Sequence, residues 1–341
     1  MNQVGNSRKK QLLKRLTPNR IWNGALLRSS YYLSQWTNGS IHWGKPMAIS
    51  IEPTTACNLR CPQCPSGLRQ FSRPTGNLNI KLNEEILDAV GKQLYYVNYY
   101  FQGEPYIHPQ FNALIKAAHQ RNIYTVTSTN AHFIDPAMAE KIIASGLSEL
   151  IISIDGLTQE TYESYRREGK LEKVIDGTRH LVAAKKKLGK TNPHLVFQFL
   201  VNRQNEHEID GLHQLAAKME VDEVRIKTVQ MYDLENGADF LPKNEAYSRY
   251  KKRNDGTYEL KNSFKNKCWR MWSSCVFTWD GKVVPCCFDK DARHEMGTLN
   301  KGEFQKIWKS SIYKNFRKKV FTDRKEIEIC KNCSEGSKIW V

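Results

Sequence analysis

The chain has 341 residues, with 52 Lys+Arg against 35 Asp+Glu for a formal charge of +17, and is 40% hydrophobic and 26% charged. That composition and length suit one large globular domain, or one with a smaller appendage. No stretch approaches the roughly 18 consecutive apolar residues of a spanning helix. No signal-type apolar core follows the basic start MNQVGNSRKKQLLKRL, so a transmembrane or secreted protein is not expected and a cytoplasmic one is.

Residues 1–45 read as a basic extension. No Asp or Glu precedes Glu52, whereas Arg8, Lys9, Lys10, Lys14, Arg15, Arg20, Arg28 and Lys45 all do. Thr17-Pro18 is a helix-start pair, and Trp22, Leu26, Tyr32, Leu33 and Trp36 follow at near-helical spacing. Such a stripe beside a basic face fits peripheral docking on an anionic membrane or nucleic acid. The plainer reading packs the stripe on the main domain and leaves a solvated basic tail, and it is preferred because charge runs are usually solvated.

From residue 46 to 230, strands are predicted at 47–51, 96–101, 123–128, 149–154, 195–201 and 223–229, each rich in β-branched or aromatic residues. Helix-start signals lie between them: Asn83 before Glu84-Glu85, Pro109 before Phe111, Asp135-Pro136, Thr158 and Asn205. Six alternating units imply an α/β fold, a partial (β/α)6 TIM-like barrel with its chemistry at the C-terminal strand ends. Residues 231–267 are polar and aperiodic and read as a linker. Residues 268–341 read as a small α+β domain, with a hairpin around Trp279-Asp280-Gly281 and helices near 304–308 and 313–321.

The nine cysteines fall in two groups: Cys57, Cys61 and Cys64, then Cys268, Cys275, Cys286, Cys287, Cys330 and Cys333. A disulfide framework suits a small secreted chain, whereas clustered thiols in a reducing compartment suit metal. Three thiolates on one loop lack the fourth ligand of structural zinc and fit a four-iron cluster with one open iron.

The C-x3-C-x2-C spacing after the first strand resembles the radical S-adenosylmethionine (radical SAM) superfamily. The resemblance implies that Cys57, Cys61 and Cys64 hold a [4Fe-4S] cluster whose open iron chelates S-adenosylmethionine. One electron then breaks a carbon–sulfur bond, and a 5′-deoxyadenosyl radical abstracts a substrate hydrogen. Gln102-Gly103-Glu104-Pro105 is similar to the family's GGEP motif, with Gln in place of the first Gly, and implies a carboxylate for the ligand's ammonium group. Ser153 and Asp155 of Ser-Ile-Asp-Gly resemble the ribose station. Arg166 resembles the arginine that meets the ligand's carboxylate. Asn130, ending the third strand, is a further cofactor-side candidate. The chain departs from the family at Gln63, where an aromatic residue usually packs near the adenine. His132, Asn202 and Lys227 sit near strand ends as possible cavity or substrate residues. No side chain is given a direct catalytic role, since the cofactors carry the chemistry.

Cys268-x12-Gly281-x4-Cys286 followed by Cys330-x2-Cys333 resembles a SPASM or twitch extension. Two all-cysteine clusters would need eight thiols and only six are present, so one auxiliary [4Fe-4S] cluster is implied on Cys268, Cys286, Cys330 and Cys333. Cys275 is an alternative to Cys268, and a zinc ribbon is the competing reading. The resemblance implies a radical SAM enzyme that oxidises or modifies a small-molecule, carbohydrate or peptide substrate, fed by a one-electron reductant such as flavodoxin or ferredoxin. A ribosomal-peptide maturase, an RNA-modifying enzyme and a non-catalytic iron–sulfur electron carrier are the alternatives. Nucleic acid is not the expected partner, because no RNA-binding module is recognisable.

Overall fold

The computed structural model of the protein describes residues 4–231, 238–261, 265–299 and 303–333. Helices α1 (Val4–Leu13) and α2 (Pro18–Thr37) precede strand β1 (Ala48–Ile51). A single turn, α3 (Pro65–Leu68), and then α4 (Ile80–Val90) lead to β2 (Tyr96–Asn98). Alternation continues through α5 (Phe111–Gln120), β3 (Tyr124–Thr129), α6 (Pro136–Ala144) and β4 (Glu149–Ser153). It ends with α7 (Gln159–Tyr165), α8 (Leu171–Lys187), β5 (His194–Val201), α9 (Ile209–Lys218) and β6 (Glu223–Thr228). Beyond lie β7 (Tyr250–Lys252), β8 (Tyr258–Leu260), α10 (Trp269–Ser273), β9 (Ser274–Phe277) and β10 (Lys282–Val284). The last elements are β11 (Gly297–Thr298), α11 (Phe304–Trp308) and α12 (Ser311–Thr322).

β1 to β6 pair in parallel and in chain order, with helices as crossovers. Every residue of β4 is buried, which is why its Leu-Ile-Ile centre reads as an unbroken apolar run rather than as an alternation. Among the described residues β6 pairs only with β5, so the sheet stays open, as the six-unit reading expects. The C-terminal hairpin does not stand apart from it. β9 lies parallel to β1, from Ala48 opposite Ser274 to Ile51 opposite Phe277, and β10 and β11 extend the sheet to nine strands.

Several local expectations are corrected. α4 is capped by Asn79, whose side chain accepts from the Leu82 amide, so Asn83 lies inside the helix. α5 starts after Gln110 rather than Pro109, and Asn205 opens a 3-10 turn ahead of α9. Asp135 and Thr158 cap α6 and α7 as expected. Within 231–267 the chain is not featureless, for β7 and β8 form an antiparallel ribbon. Residues 232–237 and 262–264 of that span, like 1–3 and 334–341, lie outside the described residues.

α2 is capped by Thr17, but its inward face is Arg20, Asn23, Leu27, Ser30, Tyr31 and Ser34. Trp22, Tyr32 and Trp36, expected to pack inward, are exposed. The polar inward groups are all answered: Arg20 donates to the Lys92 and Asn122 carbonyls, Asn23 to Lys45 O, and Ser34 to Ile41 O. Part of the basic segment is likewise structural. Arg8 Nε meets Glu149 Oε2 at 2.7 Å, and Arg15 reaches Ser148 Oγ at 3.2 Å and lies over the Tyr124 ring. Glu149 also takes Arg225 at 2.5 Å, so Arg8 ties α1 to the first residue of β4, at the N-terminal end of the barrel. Among the described residues no helix is long and apolar enough to cross a membrane.

Candidate active site

The cysteine loop leaves the C-terminal end of β1 and is held by its neighbours' backbones. Glu104 N donates to Ala56 O at 2.8 Å, and Arg60 N to Arg167 O at 3.0 Å. Cys64 is the residue before α3, with Pro65 in the first turn, where its missing amide donor is no loss. Ser66 Oγ donates to Gln102 Oε1 at 3.0 Å and accepts from Gly103 N at 2.9 Å, tying the loop to the turn after β2. Two glycines let these backbones meet. A Cβ on Gly67 would lie 2.6 Å from Cys61 N, and one on Gly103, at φ +74°, would lie 2.3 Å from Thr54 O.

The three thiols open onto one cavity of about 260 Å³ whose wall also includes Gly103, Glu104, Asn130, Ser153 and Arg166. Glu104 is buried and accepts from Thr129 Oγ1 and Asn130 N, both at 2.7 Å, and from Tyr106 N at 3.2 Å. Burial raises its pKa above the usual carboxylate range, while these hydrogen bonds pull the other way. Arg166, at the C-terminal end of α7, donates from Nε to Asp155 Oδ2 at 2.5 Å, and its Nη1 lies 3.9 Å from Cys61 Sγ. The second oxygen of Asp155 accepts from Leu200 N at 2.7 Å.

The predicted residues therefore separate. Cys57, Cys61, Cys64, Gly103, Glu104, Asn130, Ser153 and Arg166 line one space, whereas Gln102, Pro105 and Asp155 stand behind it. Gln63 is on the wall, and the aromatic lining comes from Tyr100, Phe101 and Tyr165. His132 is turned away, accepting from Lys170 N at 2.8 Å, and Asn202 closes a turn by accepting from Gln204 N. Lys227 lies off the cavity wall, its pKa lowered by burial and then by Arg225, Arg249 and Arg270. Sequence reasoning missed Ser66, Lys290 and Tyr165. Ser66-Gly67 follows Cys64-Pro65 directly and is a local signal, whereas Lys290 reaches the cavity from the C-terminal hairpin. That hairpin is drawn over the barrel by Arg73, which bridges buried Glu52 at 2.6 Å and Lys290 O at 3.2 Å.

Burial pushes Cys57 up to about 12 and raises Cys61, with Arg166 opposing the rise at Cys61. Among the described residues no three His, Cys, Asp or Glu side chains converge where one metal ion could sit. Three separated thiols around a shared cavity fit a multi-iron cluster, whose thiolate bonds would displace those protons. In the C-terminal group, Cys268 and Cys333 lie close enough to Cys286 to reinforce the rise in its pKa caused chiefly by Cys287 and burial. Arg324 stands beside Cys268, Cys330 and Cys333, its Nη2 3.4 Å from Cys333 Sγ. Cys268, Cys286, Cys330 and Cys333 thus share one electrostatic neighbourhood, which Cys287 enters through its hydrogen bond with Cys286. Cys275 is buried elsewhere, beside Arg317, and Cys287 takes a hydrogen bond from Arg270 Nη1 at 3.2 Å.

An open parallel barrel with a three-thiol loop after its first strand, and a second thiol group beside it, defines the radical SAM class of iron–sulfur protein. The chain belongs to the radical SAM superfamily, whose model matches residues 51–216, and carries a SPASM iron–sulfur cluster-binding domain at residues 268–334. It is 30% identical over 172 residues to the mycofactocin maturase of Mycobacterium ulcerans, covering 50% of this chain and 44% of that one. The Mycobacterium tuberculosis mycofactocin maturase is 25% identical over 297 residues, covering 80% and 73%. The chain thus spans under half of one maturase and about three quarters of the other. The crystal structure of Streptococcus suis SuiB bound to S-adenosylmethionine shares the fold, with a TM-score of 0.61 at 16% identity over 92% of this chain and 77% of that one. Proteins of this superfamily use S-adenosylmethionine and a [4Fe-4S] cluster, and SPASM domains bind auxiliary clusters.

Proposed function

We propose that the protein is a radical SAM enzyme acting oxidatively on a peptide or small-molecule substrate. The observation that carries this is the single cavity shared by Cys57, Cys61, Cys64, Glu104, Asn130, Ser153 and Arg166. A pure electron carrier needs no such ligand space. When bound, the cluster and S-adenosylmethionine supply the 5′-deoxyadenosyl radical that abstracts a substrate hydrogen.

The chain's own groups hold and shield the ligand. Cys57, Cys61 and Cys64 would hold the cluster, and Glu104 would accept from the ligand's ammonium group. Arg166 would meet its carboxylate, with Asp155 as the positioning residue behind it, and Ser153 and Asn130 would take its ribose hydroxyls. Tyr100, Phe101 and Tyr165 exclude water from the wall. Cys268, Cys286, Cys330 and Cys333 would hold one auxiliary cluster able to take the second electron of an oxidation. The maturase relatives favour a peptide over a sugar-like substrate. Thiols clustered in this way support a reducing cytoplasm, with flavodoxin or ferredoxin as the one-electron donor.

The test is anaerobic reconstitution followed by iron and sulfide counting and an assay for 5′-deoxyadenosine with dithionite and S-adenosylmethionine. About eight irons per chain are expected, with 5′-deoxyadenosine formed by the wild type and not by the Cys57→Ala/Cys61→Ala/Cys64→Ala variant. A fully loaded, reducible protein that neither binds nor cleaves S-adenosylmethionine overturns the proposal.

A further inference from the structure

α2 is inside out. Its packed side carries Arg20, Asn23, Ser30 and Ser34 beside Leu27 and Tyr31. At 3.6 residues per turn the opposite side carries Ile21, Trp22, Ala25, Ser29, Tyr32 and Trp36, with no charge among them. Trp36 is 83% exposed and Trp22 67%, values that a soluble surface tolerates singly but not as a contiguous strip. Nor is the strip isolated: among the described residues, eight of the twelve well-exposed large apolar side chains fall between Leu13 and Trp43. Apolar exposure is thus concentrated on this one segment rather than scattered.

The charge around the strip names its occupant. Lys9, Lys10 and Lys14 are exposed just ahead of it, and no carboxylate occurs before Glu52. Tryptophan and tyrosine suit the headgroup boundary, where one edge of the ring is wet and the rest is not. Lysines beside them complement anionic headgroups at such a surface. α2 is not apolar enough to span, and its inward face is occupied, so it would lie flat. We propose that the outward face of α2, with Lys9, Lys10 and Lys14, docks the protein on an anionic lipid bilayer.

The test is flotation of the full chain with vesicles of phosphatidylcholine alone or of equimolar phosphatidylcholine and phosphatidylglycerol. The wild type is expected to float with the anionic vesicles. Trp22→Ser/Trp36→Ser should weaken that binding about tenfold or more, given the aromatic area withdrawn from the interface. Lys9→Gln/Lys10→Gln/Lys14→Gln should remove the preference for anionic over neutral vesicles. Both variants should melt like the wild type, because the altered side chains face solvent. No flotation with anionic vesicles at low salt overturns the proposal, as does unaltered binding by the tryptophan variant. A concentration-dependent dimer that the tryptophan variant abolishes, without vesicle binding, would assign the face to a second copy instead.

Discussion

Half-buried Arg166 and buried Asp155 pair at 2.5 Å, joining the end of α7 to the end of β4, and the same carboxylate holds the backbone of β5 through Leu200 N. The pair therefore fixes a guanidinium at the cavity wall by anchoring it to two strands.

Asp155→Asn should leave Arg166 present but poorly aimed. The expected result is a rise of about tenfold or more in the dissociation constant for S-adenosylmethionine, with cluster iron retained. Arg166→Ala strands the buried Asp155 and should cost about 3–5 kcal/mol of stability. Equilibrium dialysis with labelled ligand, paired with denaturant unfolding, separates the two effects.

Gly103→Ala meets the Thr54 carbonyl at 2.3 Å with φ at +74°, so the cysteine loop and the turn after β2 cannot keep their contact. A loss of more than about 2 kcal/mol and poor cluster loading are expected. Gly189→Ala is the control: φ is +59° but nothing lies within 4 Å, so only about 1 kcal/mol of backbone strain should appear. Parallel unfolding curves and iron counts check both.

Cys268→Ala should remove about four irons per chain, whereas Cys275→Ala should remove none and cost only about 1 kcal/mol. An equal iron loss in both variants would return Cys275 to the ligand set.

His42 is packed between Trp272 and Trp308, and burial, then nearby Arg317, lowers its pKa to about 3 despite its hydrogen bond to Trp272 O. The folded state keeps this imidazole neutral while the unfolded chain takes a proton below about 6.5. The contribution to stability is thus complete above that value and falls as pH drops toward 3, by at most about 1.4 kcal/mol per pH unit. Urea unfolding of the apo-protein between pH 7 and pH 5 should show that slope, and His42→Gln should flatten it.

The six barrel strands were legible because each is a β-branched or aromatic run between turn signals, and the structure moves their ends by only a few residues. The site was legible for the same reason: Cys57, Glu104 and Asn130 follow β1, β2 and β3, Ser153 ends β4, and a parallel sheet brings successive strand ends together. Lys290 was not, since its approach depends on Arg73 and Glu52, more than two hundred residues away in the chain. The orientation of α2 was misread because apolar periodicity favours Trp22 and Trp36 as the inner face. The real inner face is polar, made tolerable by backbone carbonyls from Lys92, Asn122, Lys45 and Ile41. The β7–β8 ribbon turns at Asp255-Gly256, a hairpin signal masked by the charged residues around it.

The parallel pairing of β9 with β1 makes the C-terminal segment a stopper for an otherwise naked sheet edge. A shortened chain ending before Cys268 would bare the amides and carbonyls of β1 along the strand that launches the cysteine loop. Such an edge recruits other strands, so the excised barrel should self-associate rather than survive as a smaller working protein.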